Sequence, residues 1–320
     1  MASRRQLLWH WAEQGKIPPE HLDAALRYAE VQPSGAQWRQ FLDRLLLWSG
    51  ILSLASGIIF FLAFNWDELG RFGKFALVEA AMVAALVVYL RLPDSSRVGS
   101  ALLFGLALLT GALLALFGQT YQTGADTWQL FATWALFVTP LALLGRTVVL
   151  WVLWVLLANL ALVLYLETFR PFWFLYEIPM LALILWGFNS LVQLVWELAA
   201  LRWTWLGQRW AVRLPATFAG IAITWLVVLQ IIDYPFAGSY LVAYALWLAA
   251  LYACYRYWIK DLFMLAGFCL SLITSITVLL AEYLFSGHSA DGSLLLALVV
   301  IGLSTASALW LKRINQEQLA

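Results

Sequence analysis

Two carboxylates, Glu79 and Glu177, stand inside long apolar runs of this chain, where a charge needs a physical reason. Burying one in hydrocarbon costs at least ~2.5 kcal/mol unless it faces water, pairs or takes up a proton. At ~1.5 Å per residue, Glu79 falls roughly 10 Å below the outer end of its run and Glu177 roughly 7 Å below the outer end of another. Glu177 precedes Pro179 by two residues, and that proline frees the carbonyl of Leu175. Asn159, Gln230 and Glu282 fall in the outer halves of further runs, whereas Asn189 and Gln193 fall nearer the opposite side. The stretch GQTYQTGADTWQLFATW, residues 118–134, brings Gln119, Tyr121, Gln122 and Asp126 to the same outer boundary. Trp128 and Trp134 follow at the depth that amphipathic rings prefer.

Polar groups gathered at one depth predict an outward-open cavity made by Glu79, Gln119, Tyr121, Gln122, Asp126 and Glu177. Asn65, Trp66, Lys74, Asn159, Gln230 and Glu282 are its secondary members. The competing account is structural. Asn159 and Gln230 would be interhelical hydrogen-bond partners worth under ~1 kcal/mol each, Glu282 would mark a helix end, and Lys74 and Arg71 would neutralise Glu79.

Other chemistry has little support. His10, His21 and His288 are the only histidines, two in one polar segment and one far away, so a histidine metal cluster is not expected. There is no phosphate-binding loop, dinucleotide glycine motif or nucleophile elbow. No cofactor is expected. An acid–base pair of Glu79 and Glu177 lacks a nucleophile beside it, so an intramembrane enzyme ranks behind a binding or transport protein.

The elements that must position these residues follow from composition. The chain of 320 residues is 63% apolar and only 12% charged, with a mean hydropathy of +0.82. A soluble domain carries about 25% charged residues. Here apolar runs of roughly 20 residues recur, the length a helix needs to cross about 30 Å of hydrocarbon. The fold expected is all-α, a polytopic transmembrane bundle of about ten spans: 44–64, 72–90, 99–117, 128–145, 147–166, 172–194, 213–232, 239–257, 262–284 and 293–311. Pro140 and the pair Gly145-Arg146 divide the fourth span from the fifth by a tight turn. Residues 1–43 read as a short cytoplasmic helical hairpin, with Gly15 closing its first helix and Pro18-Pro19 opening its second. Residues 312–320 form a cytoplasmic tail.

Charge fixes the orientation. Assigning loops alternately to two sides puts all but Arg71, Lys74 and Arg170 of the 19 basic residues on the side of the N-terminus. The positive-inside rule makes that side cytoplasmic, with both termini inside. The net charge of +1 and the balanced hairpin give no basic surface for nucleic acid. Near 197–212, Arg202, Arg209 and Arg213 form one helical stripe and Trp196, Trp203 and Trp210 another, which predicts an interfacial cytoplasmic helix. Cys254 and Cys269 fall within apolar spans and read as small hydrophobes.

Some of these residues also form a known pattern. Leu8-x-x-Trp11-x-x-x-Gly15-x-Ile17, Asn65-Trp66 with Lys74 after it, and Gly118-Gln119-x-Tyr121-Gln122-x-Gly124 with Trp134 resemble the bacterial DUF2157 family of predicted membrane proteins. The resemblance covers roughly the first half of the chain. It implies a bacterial inner-membrane protein and supplies no reaction. The function expected is small-solute binding or transport through the outward cavity; the alternative is a structural, sensory or assembly protein. The partners expected are the lipid bilayer, a small solute or cation arriving from outside, and a protein meeting the N-terminal hairpin.

Overall fold

The computed structural model describes residues 8, 11–29, 34–93, 96–169, 177–232, 239–285 and 292–317, with the side chains of residues 177, 178, 239 and 285 left aside. Its elements are helices: α1 (Leu22–Tyr28), α2 (Gly35–Phe64), α3 (Arg71–Leu90), α4 (Arg97–Tyr121), α5 (Thr127–Gly145), α6 (Val148–Thr168), α7 (Glu177–Arg202), α8 (Arg209–Ile232), α9 (Ser239–Ala253), α10 (Leu262–Phe285) and α11 (Gly292–Glu317). Among the described residues nine helices are long and apolar enough to cross a membrane. The expected span at 239–257 is the exception. It folds as the 15 residues of α9 continued by a π-helical segment, Cys254–Trp258.

Two compact units divide the chain, residues 47–247 in one and residues 1–46 with 248–320 in the other. In the larger, α3 to α6 pack in succession, α7 pairs with α8, and α6 touches both of that pair. Leu103, Leu106, Ala107, Val138, Ala142 and Leu150 make a core shared by α4, α5 and α6. In the smaller, α10 packs on α11, and the rings of Tyr252, Phe268 and Trp310 stack beside them. Arg256 pairs with Glu317 within this unit.

Small residues permit the closest approaches. A Cβ on Gly111 would stand 2.3 Å from the Trp134 ring, whose Nε1 donates to the Ala107 carbonyl at 2.7 Å. A Cβ on Gly145 would stand 2.5 Å from Leu103. The tight turn expected after Gly145 is present: Arg146 takes a left-handed conformation (φ 45°) and α6 begins at Val148.

Two expectations change. The helix that carries the first span begins at Gly35, ahead of residue 44, because residues 36–43 contain no proline or glycine to stop a helix that continues into the apolar run. The interfacial helix expected over 197–212 is not one helix. α7 ends at Arg202, Trp203 is extended, Thr204–Leu206 make a 3₁₀ turn, and α8 starts at Arg209. Trp196 turns inward instead of lying on a stripe: it is buried and its Nε1 donates to the Leu206 carbonyl at 3.2 Å. The Arg209 guanidinium reaches both Glu197 oxygens, at 2.9 and 2.8 Å. These contacts fold the segment back on itself, so the Arg and Trp positions do not share one cylinder.

Candidate functional site

Two asparagines of the larger unit meet between α6 and α7. Asn159 on α6 and Asn189 on α7 exchange side-chain hydrogen bonds: Asn159 Nδ2 donates to Asn189 Oδ1 at 3.1 Å, and Asn189 Nδ2 donates to Asn159 Oδ1 at 2.6 Å. Each Nδ2 spends its other hydrogen on its own helix, Asn159 on the Val155 carbonyl at 2.8 Å and Asn189 on the Leu185 carbonyl at 2.9 Å. Those carbonyls fix which way the amides point, since a flipped amide would set oxygen against oxygen. All four N–H donors are used. Asn189 has no exposed surface.

Above this pair lies a cavity of about 340 Å³ between α6, α7 and α8. Apart from the two asparagines its wall is apolar: Val163 from α6, Leu181 and Leu185 from α7, Phe218, Ile221 and Trp225 from α8. Ala182 and Ala222 also line it, and their short side chains leave the space open. Ile221 is 62% exposed and Trp225 51%, so these two form an open side. The volume is at the lower end of ligand pockets, about 300–1,000 Å³.

Among the described residues, none of the six main ones expected in an outward cavity is in the lining of this space. Glu79, Gln119, Tyr121, Gln122 and Asp126 are all exposed. The side chain of Glu177 lies outside the described residues. On α3 the buried residues are Lys74 and Val78, one turn apart, and Glu79 points away from that face. Among the described residues nothing pairs with Glu79, so neither Lys74 nor Arg71 neutralises it. Lys74 lays its ammonium 3.6 Å from the centre of the Trp66 ring, and no described carboxylate pairs with it. Asn65 donates to the Phe61 carbonyl at 2.8 Å. The Tyr121 ring rests near Phe75 and Phe117, with centroids 6.1 and 4.8 Å away. Gln122 closes α4 in a left-handed conformation and Asp126 precedes α5 without a side-chain cap bond.

Gln230 is 3% exposed and its Oε1 has no described partner. Glu282 is exposed on α10 in the smaller unit. No group of three His, Cys, Asp or Glu side chains among the described residues is placed to hold a metal ion. His10 and His288 lie outside them.

Of the residues singled out from sequence, Asn159 enters the cavity and Asn189, expected near the cytoplasmic end, meets it at mid-helix. The reason is antiparallel packing. Asn159 is about 17 Å from the Val148 end of α6 and Asn189 about 20 Å from the Arg202 end of α7, counting 1.5 Å per residue. An asparagine in each of two successive apolar helices, at matching distance from the Val148 end of one and the Arg202 end of the other, was the available signal. Phe218, Ile221 and Trp225 carry no signal that separates cavity from lipid-facing positions.

The model of the family DUF2157, described as a predicted membrane protein, matches residues 10–151 of this chain. That match is less than half of the chain; it contains Asn65, Trp66, Lys74, Glu79 and the 118–134 stretch and ends before Asn159. No curated protein and no solved structure matches.

Proposed function

We propose that this chain is a multi-pass protein of the bacterial inner membrane, with both termini cytoplasmic, that holds a small molecule between α6, α7 and α8 and does not conduct polar solutes. The observation that carries the reading is the cavity of about 340 Å³ beside the Asn159–Asn189 pair. A conduction path needs polar groups offered to a solute at mid-depth. Here the amides at that depth spend their donors on each other and on backbone carbonyls. The basic residues gathered on one set of loops support the orientation.

A second reading has one observation in its favour. Lys74 is a largely buried cation without a carboxylate partner among the described residues, held against Trp66 near the outer ends of α2 and α3. Such a group would draw an anionic solute or partner from outside.

A flux screen in proteoliposomes, with and without ion gradients, separates binding from transport. Binding predicts no flux above protein-free vesicles, together with a ligand that raises the melting temperature. At a hundred times its Kd a ligand stabilises the protein by about 2.7 kcal/mol. Gradient-driven flux of a polar solute would replace this reading with transport.

A further inference from the structure

We propose that the occupant of the α6–α7–α8 cavity is one hydrocarbon chain of a bilayer lipid, entering sideways past Ile221 and Trp225; this rests on the binding reading above and names its ligand class. Depth gives the first argument. Ile221 is about 18 Å from the Arg209 end of α8 and about 16 Å from its Ile232 end, at 1.5 Å per residue. The hydrocarbon core is about 30 Å thick, so the open side faces its middle, where chains reach and headgroups do not.

The chemistry of the wall gives the second. A polar ligand held there needs donors or exposed acceptors. The Asn159 and Asn189 donors are all spent, and Asn189 is wholly covered by its neighbours. The rest of the lining is aliphatic or aromatic. An apolar space that opens to the middle of a bilayer meets hydrocarbon rather than water and takes apolar guests.

The open side gives the third argument. Ile221 and Trp225 are one helical turn apart on α8, both line the cavity, and both are more than half exposed. In a spanning helix that exposure is to lipid. The cavity is therefore continuous with the medium that supplies its occupant.

The test uses the full chain in vesicles of phosphatidylethanolamine and phosphatidylglycerol doped with two photoreactive phosphatidylethanolamines. One carries a diazirine near the end of an acyl chain and the other in the headgroup. The chain-end probe is expected to label residues 181–185 and the segment around residues 218–225, and the headgroup probe is not. Ala222→Phe takes up part of the cavity and is expected to reduce labelling of its inner wall, residues 181–185, about tenfold, the factor set by losing burial of a few methylenes, while Ile221 and Trp225 keep ordinary lipid contact. Ala182→Leu, a smaller intrusion from α7, is the check should Ala222→Phe fold poorly. Equal labelling of residues 181–185 in wild type and both variants would reveal ordinary lipid contact and overturn the proposal. Headgroup labelling at 218–225 would overturn it as well. If the chain probe fails while another small molecule still stabilises the wild type and not Ala222→Phe, the hydrocarbon assignment falls and the binding reading stands. If no molecule distinguishes the variants, both fall.

Discussion

Asn159 and Asn189 satisfy each other across α6 and α7, at 3.1 and 2.6 Å, and leave no N–H for anything else. A reciprocal amide pair of this kind fixes the register of two helices, because sliding either by a residue breaks both bonds. It also determines the character of the space above it. The polar groups close on themselves and an apolar wall is left.

The pair gives the first prediction. Asn159→Leu strands half of the fully buried Asn189 amide, and is expected to cost ~0.6–2 kcal/mol. Asn189→Leu should cost a similar amount. The double variant should lose less than the sum, since both partners then become apolar. Unfolding in mixed micelles measures all three. Simple additivity would mean that the amides do not act as a pair.

The α4–α5 contact gives the second. Gly111→Ala drives a methyl into the Trp134 ring, where a Cβ would be 2.3 Å away. It is expected to destabilise the protein by about 1–3 kcal/mol, the usual range for overpacking. Trp134→Leu in the same chain should recover part of that loss, although it also removes the bond to the Ala107 carbonyl. Melting temperatures of the single and double variants decide it.

The residues at that contact show how far the sequence can be read. Span positions follow from the apolar runs, because hydrocarbon thickness sets helix length whatever the neighbours are. The turn at Gly145-Arg146 was legible for a similar local reason. What a span faces is not local. Glu79 looked like a cavity carboxylate because its depth could be counted, but its direction depends on which face of α3 carries Lys74 and Val78. Depth comes from counting along one helix, whereas a shared site needs the rotation of each helix about its axis. In spans rich in Leu, Val and Ala on every side, sequence hardly records that rotation.

A third prediction concerns the turn between α7 and α8. Trp196→Ala removes a buried ring together with its bond to the Leu206 carbonyl, and is expected to cost about 3–5 kcal/mol. Glu197→Gln should cost under ~1 kcal/mol, because the Arg209 side chain is partly exposed and such pairs are weak. Denaturant titration should therefore separate the two clearly. A larger effect from Glu197→Gln would mean that the ion pair, not the indole, holds the turn.

The orientation gives the fourth. Reporter fusions after Trp66, Asp126, Pro235 and His288 are expected to report outside, and fusions after Arg97, Arg146 and Lys260 inside. Lys260 follows α9 and its π-helical extension, so this fusion asks whether that short helix crosses. An outside signal at Lys260 would reduce the count below ten.

The most direct test of the binding account is the mass of the intact protein released from detergent under native conditions. The account predicts that the wild-type chain carries one bound molecule that survives mild activation. Ala222→Phe and Ala182→Leu, with melting temperatures close to the wild type, should arrive without it. Equal occupancy in all three proteins, or none in any, would contradict the claim that the space between α6, α7 and α8 is a binding site.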